Sequence, residues 1–135
     1  MTYAMIARRC KQVETLSSQE SQMRVMMFVR RDPAIEMRPE DRAEMPDQVS
    51  AWVEEMAQRG IRLHGAVFEP ADLARTVRLR GGKPQITSGT GSDGTEQVTG
   101  YNLLECTVLD QAIDVAARHP IARFGSIELV PIAAV

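Results

Sequence analysis

The nine residues Met23 to Arg31, MRVMMFVRR, are apolar on both faces of an extended strand. Side chains alternate across a strand, so Val25, Met27 and Val29 share one face while Met26 and Phe28 share the other. A later stretch repeats the pattern: in the strand expected over Tyr101 to Val108, Leu103 opposes Leu104 and Cys106. A sheet built from such strands must be covered twice. One cover is visible in the chain as two amphipathic helices. The other is not, and a large exposed apolar face marks an interface. The patterning therefore implies a homodimer in which two sheets pack face to face.

The rest of the chain supplies the helices and the remaining strands. RDPAIEMRPEDRAE is polar and broken by Pro33 and Pro39. Met45, Val49, Trp52, Val53 and Met56 then recur at helical spacing. Pro46 suits the first turn of that helix, and Gly60 its C-terminal stop. Ile61 to Phe68 reads as a strand. Thr76 to Arg80, TVRLR, and Pro84 to Thr87 form a hairpin about Gly81-Gly82-Lys83, with Arg78 and Arg80 on its wet face. Leu109, Ala112, Ile113, Ala116 and Ala117 mark a second helical stripe, ended by Pro120. Gly125 to Pro131 is the last strand. The order β-α-β, hairpin, β-α-β is an α+β pattern of the ferredoxin-like kind, with both helices on one face of the sheet.

At 135 residues the chain suits one domain. Residues 1–22 read as a leader closed by the polar linker SSQESQ, and residues 23–135 as the domain. The leader stands open as an over-extended start, an added segment or a docking arm. With one Trp, two Tyr and three Phe against eight Met, the core must rest on aliphatic and thioether side chains. A net charge of -2 gives no electrostatic case for nucleic acid or an anionic membrane surface. No apolar run approaches the roughly 20 residues of a membrane helix. Cys10 and Cys106 form neither a disulfide framework nor a metal cluster. A reduced, cytoplasmic protein without a metal or cofactor is the expectation, with Cys106 as a small buried hydrophobe.

The segment from Ile86 to Tyr101, ITSGTGSDGTEQVTGY, separates two strands with four glycines and the acids Asp93 and Glu96. Together with MRVMMFVRR, RPEDRAEM, AQRG and a closing G-S-x-E-x-x-P strand (Gly125, Ser126, Glu128, Pro131), it resembles the YCII-related proteins from Met23 to about Ile132. The branch it is most similar to is named for a DGPF motif within VTDGPFAETKEQLGGY. Thr87, Gly89, Glu96, Gln97, Gly100 and Tyr101 are identical to that motif, and Asp93 stands for its glutamate. Ser88, Thr90 and Gly91 replace its aspartate, proline and phenylalanine. The resemblance implies a dimeric α+β barrel with a small-molecule cleft between the sheet and this loop. Some relatives resemble lyases or dehalogenases that use a histidine on or near the first helix with an aspartate. No histidine lies between Pro33 and Gly60 here, so that dyad does not carry over.

The candidate residues remain few. His64 has a side chain that titrates near neutrality and is a candidate acid/base, with Asp93 or Glu96 as its partner. Its alternative is a strand residue bonded to a neighbour. His119, at the end of the second helix, reads as a cation facing the helix dipole. Arg30 and Arg31 are candidate anion binders or a solvated strand end. Ser88, Glu96 and Tyr101 complete the ligand-binding set. Three functions follow: a binding or accessory protein, a weak lyase, isomerase or hydrolase using His64, and a module in transcriptional control with the leader as its arm.

Overall fold

The computed structural model describes residues 22–91 and 94–134. The expected leader therefore lies, apart from Gln22, outside the described residues, as does the candidate Asp93. Strand β1 (Met23–Arg31) leads through helix α1 (Pro39–Gln58) to β2 (Arg62–Val67). A hairpin of β3 (Arg75–Arg80) and β4 (Lys83–Ser88) follows. Then come β5 (Gln97–Cys106), helix α2 (Leu109–Ala117) and β6 (Gly125–Pro131). The main sheet has the order β2-β5-β1-β6, with every neighbouring pair antiparallel. Each β-α-β unit skips one strand, so β1 and β5 lie side by side at the centre, as the ferredoxin-like pattern requires. The hairpin does not join this sheet; it forms a two-stranded sheet of its own.

Register explains how the faces divide. Val25 pairs with Leu104, Met27 with Asn102 and Val29 with Gly100. These rows meet both helices: Val25, Met27, Val29, Leu104 and Cys106 form one buried cluster with Trp52, Met56, Ala112, Val115 and Ala116. The alternate rows, Met26 opposite Leu103 and Phe28 opposite Tyr101, are half-buried on the other face. Neither α1 nor α2 covers that face; only the segment around Phe68 to Leu73 lies against one part of it. Burial also raises the Cys106 thiol pKa.

Three expectations need correction. Helix α1 begins at Pro39, not near Pro46; Pro39 takes the tolerated first position, while Pro46 lies inside the helix and removes the N–H that would reach the Arg42 carbonyl. Asp41 accepts hydrogen bonds from the Arg38 backbone and guanidinium and so anchors the earlier start. In α2 the buried side chains are Ala112, Val115 and Ala116, whereas Leu109 and Ile113 are exposed. In the hairpin Arg80 is exposed as expected, but the apolar side is exposed as well. Val77, Leu79 and Ile86 are each more than 60% exposed (63%, 64% and 65%). Arg78 instead turns with Thr76 towards Gly91. Gly60 does stop α1, with a φ of 73° that other residues avoid.

Candidate functional site

The α1 stripe does not close onto the sheet along its whole length. Trp52 and Met56 are buried, but Met45, Val49 and Val53 are only half-buried. Trp52 fixes one end, donating from its indole nitrogen to the Val115 carbonyl at 3.1 Å. The N-terminal half of α1 stands away from the strands and leaves a cleft of about 610 Å³. Its walls are Met37, Met45, Pro46, Val49 and Val53 on one side, and Val29, Val67 and Ile121 on the other.

Polar groups enter this apolar space at a few points. Asn102 stands in the inward row Gly100, Asn102, Leu104, Cys106 of β5 and is 6% exposed. Its side-chain oxygen accepts from the Arg62 Nε at 2.7 Å. Gly65 makes room for that pair. A Cβ there would lie 2.5 Å from Asn102 Oδ1, 2.7 Å from the Tyr101 carbonyl oxygen and against the Arg62 guanidinium. The glycine is thus required by close approach, not by an unusual backbone angle.

His119 is 5% exposed, and burial pushes its pKa down to about 4. It caps the short turn Pro120–Phe124, with Nδ1 accepting from the Ile121 N–H at 3.1 Å. That bond assigns the neutral ring's proton to Nε2. Its ring meets Trp52 edge-on, 4.7 Å between centroids. The expected dipole-facing cation is therefore a neutral, buried ring in the cleft wall.

Of the other candidates, Arg31 lines this cleft, and so does Tyr101. On the opposite face of the sheet its hydroxyl lies 2.5 Å from His64 Nδ1, and Phe68 stacks on its ring at 5.9 Å. His64 is exposed and its partner is a phenol, not a carboxylate. Arg30 is paired with Glu128 at 2.7 Å on that outer face. It also lines a second, shallower cavity of about 580 Å³ with Phe28, Phe68, Leu73, Thr90 and Val98. Glu96 accepts from the Ser126 hydroxyl at 2.7 Å. Ser88 ends β4 opposite Arg75. The six sequence candidates thus divide between two faces, the hairpin and the undescribed Asp93. Among the described residues no three His, Cys, Asp or Glu side chains gather as a metal-ligand set. None of their helices is long and apolar enough to cross a membrane.

Arg42, Arg62, Asn102 and Gly65 were not singled out from the sequence. The signal available was Asn102, a polar residue in an otherwise inward-facing strand row. No curated protein matches the chain. The model of the YCII-related domain matches residues 23–135, starting at the first residue of β1 and covering both helices and all six strands. The chain therefore belongs to the YCII-related family.

Proposed function

We propose that this YCII-related protein binds a small molecule in the cleft between α1 and the sheet. The observation that carries the reading is the cleft itself. It has the volume of a ligand site, largely apolar walls, and a few placed polar groups in Asn102, Arg62 and His119. On this reading the ligand lies on the helix face, and the glycine-rich segment contributes its last residues, Thr99 to Tyr101, to the lining. The retained frame Thr87, Gly89, Glu96, Gln97, Gly100 and Tyr101 supports assignment to the DGPF branch. The apolar rows Met26, Phe28, Leu103 and Val130 support a homodimer through the outer face. The buried free thiol of Cys106 is in keeping with a reducing, cytoplasmic setting.

A second reading rests on the 2.5 Å bond between His64 and Tyr101. A histidine and a phenol in contact can exchange a proton with a substrate bound on the outer face. The absence of a carboxylate beside His64 among the described residues places this reading second. A thermal-shift screen of small metabolites separates the two. On the first reading, ligands that raise the melting temperature lose their effect in Val49→Phe, which fills the cleft, and keep it in His64→Gln. The reverse result transfers the site to the outer face.

A further inference from the structure

Three arginines, Arg31, Arg42 and Arg62, line the cleft, and among the described residues no aspartate or glutamate does. The ion pairs among the described residues take up Arg30, Arg38, Arg59 and Arg118, all outside the cleft. The three cleft arginines are bonded to neutral acceptors instead. Arg31 Nη1 donates to the carbonyls of Asp32 and Phe124. Arg42 Nη2 donates to the Met37 carbonyl at 3.1 Å, and Arg62 Nε to Asn102. Each of these bonds uses a fraction of a guanidinium's five donors and offsets none of its charge. Arg62 is half-buried and lies over Gly65, on the floor of the cleft. A chain of net charge -2 with 18 acidic residues has placed none of its described acids in this wall.

We infer that the ligand of this cleft is an amphiphile, an aliphatic body ended by an oxyanion such as a carboxylate or phosphate. This rests on the cleft-binding reading above and adds the chemical class. The unpaired guanidiniums supply the charge-assisted, fork-shaped donors that an oxyanion takes. The neighbouring Met37, Met45, Val49, Val53 and Ile121 supply an adaptable aliphatic wall for the body. The His119 ring, neutral at physiological pH, adds an Nε2–H donor without a further charge.

The test uses four eight-carbon probes on the full chain: octanoate, octyl phosphate, octanol and octylamine, titrated by calorimetry at one ionic strength. One or both anions should bind at least about tenfold more tightly than octanol, the effect of one charge-assisted bond. Octylamine should be the weakest. Arg62→Gln and Arg42→Gln should each weaken the preferred anion by about tenfold and leave octanol unchanged, while Arg24→Gln on the outer face changes neither. Arg42 is exposed, so its variant keeps the test valid if Arg62→Gln fails to fold. Octanoate against octyl phosphate distinguishes the two heads. Octanol or octylamine binding as tightly as both anions overturns the oxyanion assignment and leaves the cleft reading standing, as does anion binding unaffected by both arginine variants. No binding by any probe overturns both.

Discussion

Leu103 and Leu104 are neighbours on β5 and belong to different worlds. Leu104 is 0% exposed beneath the helices. Leu103 lies half-buried on the outer face, opposite Met26 and His64. The helix face is closed except where α1 stands off, and there it combines apolar walls with unpaired cations. The outer face is apolar at its centre, partly covered near Phe68 and Leu73, and charged at its margin, where Arg30 meets Glu128. On the proposed reading, one face encloses a small ligand and the other meets a second copy of the chain.

The strongest way to break this comparison is to carry the same substitution across it. Leu104→Arg places an unpaired charge in the core and should abolish folding. Leu103→Arg should leave a folded chain and halve its mass in solution to 15.0 kDa. The milder Leu104→Ala should cost about 2–5 kcal/mol in urea unfolding, with a much smaller loss for Leu103→Ala. Equal losses at both positions would show that the outer face is as tightly packed as the core.

His119 gives a pH signature confined to the helix face. Its folded pKa of about 4 lies below the ordinary 6.5. The unfolded chain therefore binds the proton more readily, and stability is full above about pH 6.5 and falls as pH drops towards 4. The loss is of the order of 3 kcal/mol, the free energy of charging a ring that burial holds neutral down to about pH 4. His119→Asn, which keeps a capping side chain, should remove this part of the acid sensitivity when unfolding free energies at pH 7 and 4.5 are compared. An unchanged profile would place the sensitivity elsewhere.

Gly65→Ala sharpens the description of the cleft. The added methyl meets the Tyr101 carbonyl oxygen, which cannot move without the strand. A destabilisation of about 1–3 kcal/mol is expected from such overpacking, with displacement of the Arg62–Asn102 pair and weaker octanoate binding. The smallest effect should come from Glu128→Gln. The Arg30–Glu128 pair is 28% and 49% exposed and worth up to about 1 kcal/mol in a lone chain. A loss well above that at dimeric concentrations would show the pair desolvated by a partner copy.

The parts of this fold that were legible in the sequence are those fixed by local alternation. β1 and β6 fall at their expected limits because period-two apolar runs end at charges or at proline. The start of α1 was not legible, because two prolines, Pro39 and Pro46, compete for one first-turn position and only the Asp41 bonds decide between them. The first residues of β5 were read as loop, since Gln97, Thr99 and Gly100 carry no apolar alternation; the pairing of Gln97 and Gly100 with β1, and of Gly100 with β2, is a long-range property. The cleft was hidden for the same reason. Its charges sit at positions 31, 42 and 62, on three different elements; Arg31 is a candidate anion binder by sequence, but Arg42 and Arg62 each alone carry no signal.

Methionine methyl groups report on both faces at once. Met37 and Met45 line the cleft, and Met26 lies on the outer face. In methyl-labelled protein titrated with octanoate, the Met37 and Met45 resonances should shift together and saturate while Met26 stays in place. Saturable movement of Met26 with Met37 and Met45 unmoved would contradict the assignment of the ligand to the helix face.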